Sequence, residues 1–301
     1  MAPVRLKDLK SAEVKKFLDD FDVVMSDMDG TIYFLRPLPG VPDFFNHMER
    51  FGKSVYYISN NCLLTPDEYS SRMKKCSLNV PDDNILYPTK AVIDYLKTRN
   101  FDKYVFCIAA QETIDDLKAA GIKCKTGPVP GPRRYLEYPA IFKDDPEVGA
   151  VFIDIDFHIN MAKAYLASVY LERLDVYFLT GASDQTAPLR MTKDKSPNVF
   201  LPNLILPTIQ RYTGREPIVL SKPSKAFADF VNKHTGVVIP ARVLFIGDSL
   251  ESDITFGKMA GYKTLLVLTT MSESEMTAYK GLTPDYYAKD LDEVAQLFTN
   301  L

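Results

Sequence analysis

Residues 21–31 read FDVVMSDMDGT. Four of the first six residues are apolar, two of them β-branched valines, and they predict a buried strand, Phe21–Ser26. Asp27 and Asp29 follow it directly, just before Gly30. In open parallel sheets ligands bind at the carboxyl ends of strands. Two neighbouring carboxylates at such a place repel each other unless a cation lies between them or one of them is protonated. The stretch therefore indicates either a site that uses both carboxylates or a solvated acidic turn with Gly30 at the bend.

Short apolar strands alternate with amphipathic helices on both sides of this stretch, for example a predicted strand at Val243–Ile246 followed by a predicted helix at Leu250–Gly261. This alternation is typical of an α/β fold, in which right-handed βαβ units build a parallel sheet covered on both faces. Residues 92–215 contain a second alternation of the same kind, interrupted by stretches rich in proline or glycine at 127–132 and 197–207. We therefore expect an α/β core made of residues 1–91 and 216–301, with an α/β domain inserted at 92–215.

The composition excludes several classes of protein. The 301 residues carry 36 Lys and Arg against 39 Asp and Glu, a net charge of −3, and 46% of them are hydrophobic. A chain without a basic excess is not expected to bind nucleic acid as its main partner. The N-terminus is charged where a signal peptide is apolar, and the longest uncharged stretch, 196–210, contains three prolines, so no membrane partner is expected. The four cysteines show no paired spacing, which favours reduced thiols and a cytoplasmic location.

Three further polar stretches follow predicted strands. Ser59-Asn60-Asn61 follows the second strand, Lys222 lies in Ser221-Lys222-Pro223-Ser224, and residues 247–253 read GDSLESD. Small hydroxyl and amide groups can hold a phosphate, and a lysine can neutralise it. Asp248 and Asp253 supply the hard oxygen ligands that Mg²⁺ prefers. Each stretch alone is also compatible with a turn, a surface lysine or an acidic helix cap.

The four stretches together, in this order and each at a strand end, resemble the haloacid dehalogenase-like superfamily. The long insertion is similar to the large α/β cap of the branch that contains 4-nitrophenylphosphatases, phosphoglycolate or glycerol-3-phosphate phosphatases and pyridoxal phosphate phosphatases. The resemblance implies a Rossmann-like parallel-sheet core with an inserted, substrate-selecting cap domain. It also implies a small phosphorylated metabolite as substrate and a homodimer formed through the cap.

The resemblance further implies a role for each site residue. Asp27 would attack phosphorus and form an aspartyl-phosphate, and Asp29 would act as the acid and then as the base. Mg²⁺ would be held by Asp27, the Asp29 carbonyl, Asp248 and Asp253. Ser59, Asn60, Asn61 and Lys222 would bind the phosphoryl group, and His158, in the Asp156-Phe157-His158 segment of the cap, would line the substrate entrance.

The sequence departs from the family pattern in three places. Ser249 stands where a basic residue is usual, Cys62-Leu63-Leu64 stands where a serine and a basic residue are common, and residues 200–204 replace a glycine-rich stretch. These departures keep open a second function, a catalytically weak paralogue that binds a phosphorylated metabolite or protein. A third reading, a phosphatase that acts on phosphorylated proteins, is disfavoured because a broad cap hinders a folded substrate.

Overall fold

The computed structural model describes residues 2–127, 134–181, 186–188, 198–200, 205–299 and 301 of the chain. Of the proline- or glycine-rich stretches, residues 128–132, 197 and 201–204 lie outside the described residues, and the last four include most of the divergent segment 200–204.

The chain divides into two compact units. The first contains Met1–Ser59, Pro66–Tyr87 and Lys222–Leu301, and the second contains Asn60–Thr65 and Pro88–Ser221. The sequence-based division assigns residues 60–65, 88–91 and 216–221 to the core, whereas the structure groups them with the second unit. Residues 60–65 are the segment that lies, in the sequence, between two stretches of the first unit. Physically, this segment is bound there, because the hydroxyl of Thr113 donates to the carbonyl of Cys62 at 2.8 Å.

The strands are numbered in chain order. They are β1 (Val4–Arg5), β2 (Val23–Ser26), β3 (Tyr33–Phe34), β4 (Arg36–Pro37), β5 (Ser54–Ile58), β6 (Ile85–Leu86), β7 (Tyr104–Ile108), β8 (Lys123–Thr126), β9 (Val148–Ile153), β10 (Tyr177–Thr180), β11 (Thr186–Pro188), β12 (Asn198–Phe200), β13 (Ile218–Val219), β14 (Val243–Gly247), β15 (Lys263–Val267) and β16 (Tyr286–Ala288).

The helices are numbered in the same way. They are α1 (Ser11–Asp19), α2 (Val41–Arg50), α3 (Pro66–Lys75), α4 (Pro88–Lys97), α5 (Gln111–Ala119), α6 (Tyr138–Ile141), α7 (Met161–Leu171), α8 (Leu206–Thr213), α9 (Lys225–Thr235), α10 (Thr255–Ala260), α11 (Glu273–Ala278) and α12 (Leu291–Phe298). Within the described part of the chain, no helix is both long and apolar enough to cross a membrane.

The first unit is built on a parallel sheet with the strand order β1-β16-β15-β14-β2-β5-β6. Strands β2 and β14 are neighbours, with Ser26 opposite Ile246. Every residue of β14 is buried, as are the last three of β2. Strands this apolar are typical of the centre of a parallel sheet, which is covered on both faces.

The second unit has its own parallel sheet, ordered β13-β10-β9-β7-β8. Its central strand β9 is buried throughout, and its hydrophobic core includes Phe106, Val151 and Phe178, packed against α7 residues such as Leu171. The predicted α/β fold class, with a Rossmann-like parallel-sheet core, is confirmed, and each of the two units carries a parallel sheet.

Candidate active site

Asp27 and Asp248 occupy equivalent places at the ends of the two central strands. Asp27 follows β2 directly, and Asp248 follows β14. The backbone N–H of Asp27 donates to the carbonyl of Ile246 at 2.8 Å, which extends the ladder between the strands by one bond. Because parallel neighbouring strands end at the same edge, their registration brings two carboxylates together that are 221 positions apart in the sequence.

The turn after Asp27 requires glycine at position 30. Gly30 has φ +95°, and a Cβ atom there would lie 2.2 Å from Oδ2 of Asp248. The hydroxyl of the next residue, Thr31, lies 3.2 Å from Oδ1 of Asp248 and 3.4 Å from Oδ2 of Asp27. This close approach lets one loop carry the first carboxylate and hold the second.

Lys222 lies at the centre of the acidic cluster. Its side chain is 1% exposed, and its ammonium donates to Oδ1 of Asp27 at 2.5 Å and to Oδ1 of Asp253 at 2.7 Å. It also donates to the carbonyl of Ile58, at the end of β5, at 2.9 Å. A buried ammonium needs such partners, because an unpaired buried charge is strongly destabilising.

Asp253 supports the chain that follows β14. Its Oδ2 accepts the backbone N–H groups of Asp248 at 3.1 Å and Ser249 at 3.0 Å. The side chain of Ser249 accepts the N–H of Ser252 at 3.1 Å and so caps the π-helical turn Leu250–Ile254 that precedes α10. Ser249 therefore has a local role in which a hydroxyl replaces the basic residue usual at this position.

Burial and mutual repulsion perturb the pKa values of the cluster. Burial, together with the charges of Asp253 and Asp248, raises the pKa of Asp27 well above its ordinary value, and Lys222 only partly opposes this. Burial and Asp253 likewise raise the pKa of Asp248 to about 6. Burial alone would lower the pKa of Lys222, but the charges of Asp253 and Asp27 outweigh it and raise that pKa.

The acidic cluster fits a divalent cation. Asp27, Asp248 and Asp253 each offer an oxygen, and these atoms lie within 4.8 Å of one another. A single lysine leaves an excess of buried negative charge when all three carboxyls are ionised. Mg²⁺ prefers hard oxygen ligands of this kind and keeps part of its water shell. The donor set and its charge are therefore suited to Mg²⁺.

Asp29 faces a different partner from Asp27. Its side chain is 45% exposed, and Oδ1 accepts a hydrogen bond from Nη1 of Arg72 at 2.7 Å. Arg72 lies on α3 and was missed by the sequence analysis. It belongs to no motif, and it is one of several basic residues near the end of that helix, so only the fold could single it out.

The remaining predicted residues are divided between the two units. Ser59 is buried in the first unit, where its N–H donates to the carbonyl of Leu86 at 2.9 Å. Asn60, Asn61 and His158 belong to the second unit.

Within the second unit, the three side chains differ in setting. Asn61 accepts the N–H of Leu63 at 2.9 Å in a local turn. His158 is exposed, and its backbone N–H donates to Asp156 at 2.7 Å. Asp156 in turn pairs with Lys163 of α7 at 2.7 Å, so the loop that carries His158 is fixed at its base.

Comparison with known proteins identifies relatives of the whole chain. A family profile described as haloacid dehalogenase-like hydrolase matches residues 24–123, and a second, described as HAD-hydrolase-like, matches residues 219–294. Phosphoglycolate phosphatase 2 of Arabidopsis thaliana is 30% identical over 298 residues, covering 96% of this chain and 97% of its own. A 4-nitrophenylphosphatase of Schizosaccharomyces pombe is 30% identical over 296 residues, covering 94% of this chain and 96% of its own.

A solved structure shares the fold. The 4-nitrophenylphosphatase of Thermotoga maritima superposes with a TM-score of 0.75 at 23% identity, over 93% of this chain and 98% of its own.

Proposed function

The chain belongs to the haloacid dehalogenase-like hydrolase family, and we propose that it is a Mg²⁺-dependent phosphoric monoester hydrolase that acts on small phosphorylated metabolites. Two relatives that match nearly its whole length, from Arabidopsis thaliana and Schizosaccharomyces pombe, are named as phosphatases. The single observation that carries the proposal is the buried contact of Lys222 with Asp27 beside two further carboxylates. Such a group combines a nucleophile, a cation for an anionic substrate and a place for a metal.

Asp27 is the nucleophile of the proposed reaction. Its carboxylate forms a bond to the phosphorus atom of the substrate while the bond between phosphorus and the ester oxygen breaks. The product of this step is an aspartyl-phosphate on Asp27. Lys222 supports the step because its ammonium is hydrogen-bonded to the nucleophile and offsets the repulsion between two anions.

Asp29 moves the protons. It donates one to the departing ester oxygen, so the leaving group departs as an alcohol. The resulting carboxylate then takes a proton from the water that attacks the aspartyl-phosphate. The bond between phosphorus and Asp27 breaks in this second step, which releases inorganic phosphate and restores both side chains.

Asp27, the Asp29 carbonyl, Asp248 and Asp253 would hold Mg²⁺. When bound, Mg²⁺ would neutralise charge on the phosphoryl oxygens as phosphorus is attacked. Within this arrangement, Thr31 orients Asp248, and Asp253 fixes the backbone of residues 248 and 249.

The cap in this proposal is residues 92–215, and it selects the leaving group, with His158 at the substrate entrance. Ser59, Asn60 and Asn61 bind the phosphoryl oxygens. The substrate class is a small monoester like phosphoglycolate, glycerol phosphate or pyridoxal phosphate. The homodimer formed through the cap and the cytoplasmic location stay predictions.

The experiment that tests this function measures phosphate release from 4-nitrophenyl phosphate by the purified chain. We expect turnover in Mg²⁺, none in EDTA, and recovery when Mg²⁺ is added in excess. Ca²⁺ should inhibit, because it takes more ligands at longer distances and disturbs the alignment of Asp27. Full activity in EDTA would contradict the metal site, and no turnover on any of a panel of metabolite monoesters would favour the weak paralogue that only binds.

A further inference from the structure

Arg72 is held against the loop that carries Asp29. Its guanidinium lies over the ring of Tyr33, with 5.1 Å between Cζ and the ring centroid, while Nη1 donates to Oδ1 of Asp29 at 2.7 Å. The side chain is 24% exposed. The planar guanidinium contacts the ring with its face and the carboxylate with an N–H at its edge, a combination that the ammonium of a lysine does not provide.

Tyr33 is itself fixed by the turn after Asp27. Its carbonyl accepts the N–H of Gly30 at 2.9 Å, and its own N–H donates to the carbonyl of Met28 at 3.0 Å. Its hydroxyl donates to the carbonyl of Leu35 at 3.1 Å. The ring that supports Arg72 therefore belongs to the same compact turn as Asp29, and α3 contributes the arginine from outside it.

We propose that Arg72 is a positioning residue for Asp29: it donates to Oδ1 of the carboxyl group and so fixes the orientation from which Asp29 transfers its proton. The inference rests on the proposed function, in which Asp29 is the acid and then the base. A guanidinium has N–H donors and no acceptor, so Oδ1 of Asp29 serves as an acceptor in this contact.

The same contact supports the chemical step itself. Negative charge develops on Asp29 as it gives up its proton, and a fixed guanidinium 2.7 Å away stabilises that charge. Proton transfer requires a heavy-atom approach of about 2.6–3.2 Å, and removal of Arg72 takes away the contact that holds Oδ1 of Asp29. An Arg72 variant should therefore lose most activity on substrates whose leaving group requires protonation.

Phenyl phosphate and 4-nitrophenyl phosphate provide matched probes. They share a ring, but phenolate is a poor leaving group that needs protonation, whereas 4-nitrophenolate departs with little help. For Arg72→Gln we expect kcat/KM to fall about 10-fold or more on phenyl phosphate and less than about 3-fold on 4-nitrophenyl phosphate. The loss on phenyl phosphate is smaller than the whole contribution of a general acid, about 100-fold or more, because Asp29 itself is still present. Arg72→Lys, which keeps the charge but not the planar fork, should recover part of the loss.

Two further variants complete the test. Lys74→Gln removes a charge from an exposed position of the same helix and should change neither substrate. In an Asp29→Asn background, Arg72→Gln should add no further discrimination between the two esters, because the group it positions is gone. Circular dichroism and melting temperature establish that each variant is folded.

The outcomes separate this inference from the function on which it rests. Equal losses on both esters, no loss, or the full effect of Arg72→Gln persisting in the Asp29→Asn background would each overturn the positioning role. If Asp29→Asn alone discriminates between the esters while Arg72→Gln does not, the proposed function stands and the inference about Arg72 fails. If Asp29→Asn shows no discrimination, the proton-transfer role of Asp29 fails, and that of Arg72 with it.

Discussion

Asp253 holds Lys222 with one carboxylate oxygen and the backbone after β14 with the other. Oδ1 accepts from the ammonium at 2.7 Å, and Oδ2 accepts two backbone N–H groups at 3.0 and 3.1 Å. A Cβ atom on Gly247 would lie 2.2 Å from Cβ of Asp253, so the carboxylate is packed closely against the end of the strand. One residue thus fixes the lysine that contacts Asp27 and the chain segment that carries Asp248.

Removal of the Lys222 ammonium should impair every substrate. Lys222→Met keeps most of the buried volume but leaves Asp27 and Asp253 without their shared cation, so kcat/KM should fall about 100-fold or more on each ester. Breaking a buried pair in this way should also cost about 3–5 kcal/mol of unfolding free energy. Lys225→Met, at an exposed lysine that pairs with Asp229, is the matched control. Normal turnover of Lys222→Met on any one of three esters would contradict the assignment.

Gly30→Ala should abolish activity, because the new methyl group would occupy the position of the Asp248 carboxylate, 2.2 Å from Oδ2. Gly52→Ala is a sharp control, since Gly52 also has positive φ but a Cβ there meets nothing within 4 Å. We expect it to cost about 1 kcal/mol of stability and to keep activity. Melting temperature and phosphate release measure both effects. An active Gly30→Ala variant would show that the contact of this turn with Asp248 is not required.

His158→Ala should change the preference among substrates rather than the chemistry. An exposed side chain on a loop of the second unit is expected to contact the leaving group, which differs between esters, and not the common phosphoryl group. Ratios of kcat/KM among three esters of different size should shift about 5-fold. His47→Ala, in α2 of the first unit, should leave the ratios unchanged. If the ratios of His158→Ala match the wild type, the histidine has no role in selection.

Asp154→Asn should alter the pH dependence of stability. Burial raises the pKa of Asp154 to about 6, while its thiol neighbour Cys62 donates to Oδ1 at 2.8 Å. The folded state therefore binds more protons than the unfolded state between about pH 4 and 6, so this group makes the protein less stable as the pH rises.

The expected size follows from the same shift. Between pH 5 and 7.5 the free energy of unfolding of the wild type should fall by about 1 kcal/mol because of this carboxyl group. The Asp154→Asn variant lacks the titrating group and should not show this part of the decrease. Urea unfolding of both proteins at the two pH values measures the difference. Parallel pH dependences of the two proteins would show that Asp154 is not a buried acid with a raised pKa.

The sequence predicted the elements that bury long apolar runs. The strand predicted at Val243–Ile246 is found at Val243–Gly247, with every residue buried. A continuous apolar run of this length is typical of a central strand in a parallel sheet, whose two faces are both covered by other elements. The two-residue edge strand Val4–Arg5 was not predicted, since two residues are too few to show the alternation of apolar and polar side chains that indicates a strand. One helix was predicted over 250–261, whereas the structure has a π-helical turn followed by α10.

The candidate site was predictable to the extent that its residues directly follow strands. The order of strands β2 and β14 brings Asp27 and Asp248 together, and a strand-end position is visible in sequence. Arg72 has no such signal, because a basic residue on a polar helix is ordinarily solvated. The partner of Cys62 was equally hidden, since Asp154 lies 92 residues away at the end of β9.

The central claim is that Asp27 carries the phosphoryl group, and the most direct measurement is acid-quenched mass spectrometry of the enzyme during turnover of 4-nitrophenyl phosphate in Mg²⁺. We expect one phosphoryl group on the peptide that contains Asp27 in the wild type, and neither this adduct nor turnover in a folded Asp27→Asn variant. A carboxamide lacks the anionic oxygen that attacks phosphorus. Near-normal turnover by pure Asp27→Asn, or a phosphoryl group trapped on another residue, would contradict the account.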